Sequence, residues 1–238
     1  MNRILFISDL HLSDIRHEPG RDSDLLTRLA SLIRRRDYKA VLNLGDTVSR
    51  KAFLPEGTDP RRVFRAYREW RDSLGIPFRE CTIFRERPFF RDIFGQDEDS
   101  VWNGLPGTVV LTFSPDSADD HEASGDQWNW LSEQARNAAG STLVVCSHVP
   151  YPGSCSRPES PGIYLPVPEP LRRLLENRET PVFWAGGHFH WKEEPPVVKG
   201  SLTAFMGGRF TSGKSADQGG YLRELDLDSL ELNTLRDW

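Results

Sequence analysis

The sequence predicts an α/β fold, and three observations predict it. Short continuous apolar runs recur along the chain: Ile4–Ile7, Ala40–Leu44, Thr108–Phe113, Thr142–Cys146 and Pro181–Ala185. Runs of this length without alternation read as strands buried on both faces. Between them lie segments whose apolar residues recur at helical spacing, which makes strand–helix–strand units with parallel strands. Most of these runs also stop at a carboxylate or an imidazole, at the carboxyl edge where open α/β sheets place their sites.

The elements follow in order. After Ile4–Ile7 comes a polar loop from Ser13 to Asp22, then a helix carrying Leu25, Leu26, Leu29, Leu32 and Ile33, with Ser23 or Asp24 as its cap. Arg34, Arg35 and Arg36 fall in its last turn, where cations oppose the helix dipole. Ala40–Leu44 is the second strand and ends at Gly45-Asp46. A second helix carries Val63, Phe64, Tyr67, Trp70 and Leu74 on one face and stops at Gly75. Residues 76–83 read as a weak strand, and residues 87–94 fit neither period cleanly. Thr108–Phe113 is a clear strand, followed by a helix capped by Asp126 and carrying Trp128, Trp130 and Leu131. Thr142–Cys146 ends at Ser147-His148. A loop rich in Pro, Gly and Ser then leads to a short helix with Leu171, Leu174 and Leu175. Pro181–Ala185 ends at Gly186-Gly187-His188-Phe189-His190, and the tail alternates as antiparallel strands that close a second sheet.

Composition sets bounds. A chain of 238 residues, 37% hydrophobic, suits one sizeable domain over 1–238, and neither repeats nor a linker interrupt it. The net charge of -5 argues against a general binder of nucleic acid or anionic membrane. Arg61, Arg62, Arg65, Arg68 and Arg71 crowd the second helix, which reads as a solvated face; nucleic acid is admitted as a partner but not favoured. Three irregularly spaced cysteines, Cys81, Cys146 and Cys155, make neither a disulfide framework nor a CxxC metal site. No apolar run is long enough to span a bilayer, and the N-terminus enters a strand without a signal-peptide core. The expectation is a cytoplasmic protein without a membrane partner.

The chemistry lies at four strand ends. Asp9 and His11 share one side at the end of the first strand, since positions i and i+2 project together. Asp46, His148 and the pair His188/His190 stand at three others. Each alone reads more readily as a structural residue, but parallel strands bring their carboxyl ends to one place. Four of the six histidines lie there, which makes a shared metal site the expectation. Hard oxygen and imidazole nitrogen suit Mn, Fe or Zn.

The order Asp9-x-His11, Gly45-Asp46, His148 and Gly187-His188-x-His190 resembles the calcineurin-like metallophosphoesterase superfamily. Smaller features, around Asp116-Ser117, Gln127-Trp128 and Ser147-His148-Val149-Pro150, are similar to its cyclic-nucleotide phosphodiesterase-like branch. The resemblance implies a four-layer α/β/β/α sandwich of two mixed sheets flanked by helices. It implies two divalent metal ions, the first held by Asp9, His11, Asp46 and His190 and the second by Asp46, His148 and His188. Asp46 would bridge them, and a hydroxide shared by the two ions would attack a phosphomonoester or phosphodiester. The implied partner is a phosphate-ester substrate, a nucleotide among the candidates.

One family motif, Gly-Asn-His-Asp/Glu, is missing. Its place falls to Ile83-Phe84-Arg85-Glu86, judged from the flanking Gly75-Ile76-Pro77 and Pro88-Phe89-Phe90. Phe84 then stands for a metal-ligating Asn, and Arg85 for a His that contacts phosphate or protonates the leaving group. Phe cannot ligate a metal. Arg stays protonated, but it binds phosphate bidentately. The second metal site is accordingly weakened, and losing a general acid costs about 10²–10⁴-fold. The favoured reading is an attenuated metallophosphoesterase with Arg85 and Asp46 as its catalytic residues. The alternative is a metal-binding pseudoenzyme that recognises a phosphorylated ligand or partner without turnover. An interaction scaffold is a third, disfavoured because a scaffold has no chemical need of these inward Asp and His residues.

Overall fold

The structure is a computed structural model that describes residues 2–13, 21–54, 59–117, 121–155, 164–189, 193–209, 220–236 and 238, without the side chains of 21 and 209. The elements run β1 (Arg3–Ile7), α1 (Arg21–Arg36), β2 (Ala40–Asn43), a 3-10 turn (Arg50–Phe53), α2 (Pro60–Asp72), β3 (Phe78–Glu80), α3 (Arg87–Phe94), β4 (Ser100–Leu105), β5 (Thr108–Phe113) and α4 (Gly125–Asn137). They continue as β6 (Thr142–Ser147), α5 (Glu169–Glu176), β7 (Val182–Gly186), β8 (Val197–Lys199), β9 (Leu202–Met206), β10 (Gly208–Arg209), β11 (Tyr221–Asp226) and β12 (Glu231–Arg236).

These strands form two mixed sheets of six. In the first, β1, β2 and β3 run parallel, β11 pairs antiparallel with β1, and β10 and β12 pair with β11. In the second, β5, β6, β7 and β9 run parallel, while β4 and β8 pair antiparallel at its two edges.

The strand pleat sorts the apolar runs into layers. Leu5, Ile7 and Val41 face α1 and α2, packing on Leu29, Ile33, Phe64 and Tyr67. Ile4, Phe6 and Leu42 face the second sheet, packing with Val144, Phe183 and Phe205. Leu111, Val145 and Trp184 face α4 and α5 on the far side, against Leu131, Leu171 and Leu175. This is the four-layer α/β/β/α sandwich. Both faces of each central strand are covered, which is why those runs carry no alternation. The parallel strands of the two sheets bring their carboxyl ends to a common edge, where the candidate site lies.

Local details differ from the sequence reading. Residues 87–94 are a helix, with Pro88 in its first turn and Gly95 left-handed at its end, and Phe90 and Ile93 are buried. The strand β4 went unread because its side chains are largely exposed and its pairing is broken by a bulge between Trp102 and Leu105. Ser124, not Asp126, caps α4, accepting from the Gln127 N–H. The helix α1 begins at Arg21, so Ser23 and Asp24 lie inside it, and Asp22 instead accepts from the Ser13 N–H at 2.7 Å. The tail is divided: β9 extends the second sheet in parallel, whereas β11 closes the first. The three cysteines are buried. Among the described residues, no helix is long and apolar enough to cross a membrane.

Candidate metal centre

The pairing of β1 with β2 continues past both strands and shapes the site. Asp9 N–H donates to the Gly45 carbonyl at 2.9 Å, His11 N–H to the Asp46 carbonyl at 3.2 Å, and Leu12 N–H to the Thr47 carbonyl at 2.9 Å. Within this ladder the backbone turns left-handed: Asp9 at φ 55°, His11 at 48° and Asp46 at 53°, with Gly45 at 95°. His188, past β7, sits at 71°. Each such residue costs about 1–2 kcal/mol, so the surrounding hydrogen bonds must hold it. Among the described residues, six other than glycine have positive φ, and four of them are these site residues. Backbone strain of this kind clusters at active sites and ligand clamps.

The ligand atoms of Asp9, His11 and Asp46 lie within 4.8 Å of one another. His11 Nδ1 is 3.4 Å from Asp46 Oδ1. Two ligands held by one ion at about 2.1 Å each lie about 3–4 Å apart, so this set fits a divalent cation with little movement. Asp9 and Asp46 are buried, His11 half-buried. Asp9 Oδ2 accepts from the Ser8 hydroxyl and, at 3.0 Å, from the His188 N–H. That second bond ties the first sheet to the second.

His148 Nδ1 lies 3.0 Å from the Leu44 carbonyl oxygen. A carbonyl only accepts, so Nδ1 carries the proton and Nε2 presents its lone pair, as in imidazoles that ligate metals. His148 Nε2 is 3.2 Å from His188 Nδ1, and the two rings stand edge to face. His148, His188, Asp9, His11 and Asp46 are therefore neighbours at the common edge. His190 lies outside the described residues.

Two glycines make the close approach of the sheets feasible. A Cβ on Gly45 would press on the His148 ring at 3.3 Å, and one on Gly187 would fall 2.0 Å from Ser8 Oγ and 3.1 Å from Asp9 Oδ2. Gly187→Ala must push Ser8 and Asp9 aside. It is expected to weaken manganese binding by about 10–100-fold, the usual cost of disturbing groups that orient a ligand. Calorimetric titration checks this; unchanged affinity would show that Asp9 does not depend on the approach.

A buried polar network stands behind Asp46. The Asn43 amide nitrogen, with two N–H donors, lies 2.7 Å from Glu80 Oε2, 2.9 Å from Thr47 Oγ1 and 3.0 Å from Tyr67 Oη, while its oxygen accepts from the Gly45 N–H at 3.2 Å. Asn43 thus holds the residues on either side of Asp46. Arg71 Nη1 pairs with Glu80 at 3.2 Å. Glu86 is buried, and its Oε1 accepts from the Val48 N–H at 2.9 Å. Burial, and then the nearby Asp46 carboxylate, push the Glu86 carboxyl well above its usual range.

Arg85 reaches the centre. Its Nη2 donates to Asp46 Oδ1, and its guanidinium lies 5.9 Å from the Phe53 ring centre. The Phe84 ring points outward, 47% exposed. Sequence reasoning missed the placement of His121, whose half-buried ring stands edge-on to His188 at 5.3 Å between centres; a polar loop gives no periodic signal. It also missed Asn43, although a polar residue inside a buried apolar run was the available signal. Asp116 acts as a loop cap, accepting from the Ser124 N–H at 3.0 Å. Trp184 is core, its indole N–H bonded to Ser147 Oγ at 2.8 Å. Arg61, Arg62, Arg65 and Arg68 are exposed as expected, but Arg71 turns inward to Glu80.

No protein-family model matches the chain, and no curated protein matches it. Solved structures do. A dimetal phosphatase from Danio rerio superposes with a TM-score of 0.67 at 13% identity, covering 99% of this chain and 98% of that one. A Staphylococcus aureus protein provisionally described as a 5′-nucleotidase, in complex with alpha-ketoglutarate, superposes with a TM-score of 0.55 at 10% identity. That match covers 98% of this chain and 52% of the other, so this chain spans about half its length. At these identities the likeness establishes the fold alone, the one this chain shares with these two structures.

Proposed function

We propose that the protein is a metal-dependent phosphoesterase that hydrolyses a phosphomonoester or phosphodiester, a nucleotide among the candidates. The observation that carries the reading is the convergence of Asp9, His11 and Asp46 ligand atoms within 4.8 Å at the carboxyl edge of the first sheet. His148 and His188 face this group from the second sheet. Asp9, His11, Asp46 and His190 are the residues proposed to hold a divalent ion, drawn from Mn, Fe and Zn by their oxygen and imidazole donors. When bound, such an ion polarises phosphoryl oxygen and makes water a nucleophile at neutral pH.

The chain's own residues do the rest. Arg85 offers five donors in a planar fork; the edge not engaged by Asp46 is proposed to hold phosphate oxygens and to balance charge as the phosphorus–oxygen bond breaks. Asn43 and Glu86 keep the Asp46 loop in place. A guanidinium is a donor of hydrogen bonds and not a practical acid, so Arg85 is not proposed to protonate the departing oxygen. Esters with good leaving groups need no such proton.

A steep dependence on the leaving group follows. Manganese-loaded protein is expected to release p-nitrophenolate from bis-p-nitrophenyl phosphate or p-nitrophenyl phosphate. Alkyl esters of the same charge are expected to turn over about 10²–10⁴-fold more slowly than their own chemistry accounts for. Equal catalytic enhancement for aryl and alkyl esters would reveal a proton donor in the site. A second reading is favoured by one observation, the engagement of Arg85 with Asp46. It makes the protein a metal-binding pseudoenzyme that holds a phosphorylated ligand or partner. Phosphate binding without turnover of either aryl ester, in protein that holds manganese, would select it.

A further inference from the structure

We infer that the Arg85 guanidinium takes the place of a second metal ion, so that the centre holds one divalent cation and one fixed organic cation. The inference rests on reading the site as a metal centre of the phosphoesterase type. It concerns the cation that shares the Asp46 carboxylate with the first site.

Three observations carry it. First, the resemblance makes Asp46 the carboxylate that two ions would share, and Arg85 Nη2 donates to its Oδ1. The same oxygen lies 3.4 Å from His11 Nδ1, so one carboxylate oxygen meets both the first site and the guanidinium. Second, among the described residues only Asp9, His11 and Asp46 bring three ligand atoms within 4.8 Å of one another. Asp46, His148 and His188 do not form a second such set. His148 and His188 meet each other instead: His148 gives its Nδ1–H to Leu44, which leaves Nε2 to accept from His188 Nδ1–H at 3.2 Å. Third, the neighbouring Phe84 has no ligand atom to offer, and its ring points to solvent.

The charges agree with this arrangement. An arginine is protonated at every working pH and cannot vacate its charge as a lysine can. A divalent ion on the His148 and His188 side would have to approach this cation while competing with it for Asp46. With the ion absent, the guanidinium supplies positive charge and directional donors toward a phosphate, where a metal would supply charge and an open coordination position. Arg85 is 32% exposed, which leaves it accessible from solvent at the mouth of the site.

The test counts metal, and it does so without an activity readout. Wild-type protein, Arg85→Gln and Arg85→Ala are dialysed against manganese at concentrations that saturate the first site, and bound manganese is measured per chain. Electron paramagnetic resonance separates isolated from spin-coupled ions. The expected result is one uncoupled ion in wild type, and a rise toward two with a coupled spectrum in Arg85→Gln, whose neutral amide keeps most of the side-chain shape. Arg85→Ala should behave alike, and either variant suffices if the other fails to fold. Two coupled ions in wild type would overturn the inference while leaving the phosphoesterase reading intact. One ion in all three proteins would also overturn it, since the guanidinium would not then be what excludes the second ion. No manganese in wild type would remove the metal centre itself and, with it, the function proposed above.

Discussion

Asp46→Ala is expected to remove nearly all hydrolysis of bis-p-nitrophenyl phosphate by the manganese-loaded protein. A bound ion contributes several kcal/mol of charge stabilisation in a reaction of this kind. Each ~1.4 kcal/mol is worth tenfold in rate, so losing the ion's anchor costs about a thousandfold or more. Asp46 is well placed to have this effect. Its carboxylate lies beside His11, pairs with Arg85 and belongs to the set of three ligand atoms that includes Asp9. The substitution also frees Arg85, which then has no anionic partner at Asp46 to orient it. Rate and manganese affinity should fall together. If the rate stayed within tenfold of wild type while the protein still held manganese, Asp46 would not be part of the working centre.

Glu80→Ala is expected to carry the largest stability cost. Glu80 is 1% exposed. It accepts from Asn43 and Tyr67 and pairs with Arg71, whose side chain is 13% exposed. Burial pushes the Glu80 carboxyl above its usual range, while Arg71 draws it back. Removing one partner of a buried pair leaves an uncompensated charge and typically costs about 3–5 kcal/mol. Arg71 retains some contact with water, which favours the lower end, about 3 kcal/mol. For a chain of this size that corresponds to a fall in Tm of about 6–12 °C, read by calorimetry. Asn43 loses an acceptor as well, so the loop that carries Asp46 should loosen and manganese affinity should drop by about tenfold. A variant that melts within 2 °C of wild type, a margin of about 1 kcal/mol or less, would show that the network contributes little.

Much of this was legible in the sequence, for identifiable physical reasons. Strands covered on both faces cannot hide their apolar character, so β1, β2, β5, β6 and β7 stood out as continuous runs. Their carboxyl ends meet at one edge, and polar residues there, Asp9, His11, Asp46, His148 and His188, stood out against the apolar runs before them. Phe84 and Arg85 were also visible as residue types. What Arg85 does with its charge was not, because the contact with Asp46 spans 39 positions of chain. The Asn43–Glu80–Arg71 network was hidden for the same reason: each member looks like an exception within its own element, and only the packing of α2 on β2 and β3 makes them partners. The edge strand β4 escaped because a half-exposed, bulged strand has neither a continuous nor an alternating pattern. The tail was read as one sheet because strand pattern alone does not say which neighbour a strand joins.

The most direct test of the account strips the wild-type protein of metal with a chelator, removes the chelator, and follows bis-p-nitrophenyl phosphate as manganese is added back. The account predicts no hydrolysis by the stripped protein and recovery that saturates as the site formed by Asp9, His11 and Asp46 fills. Hydrolysis that persists after stripping, or an absence of hydrolysis in protein shown to have taken manganese back, would contradict it.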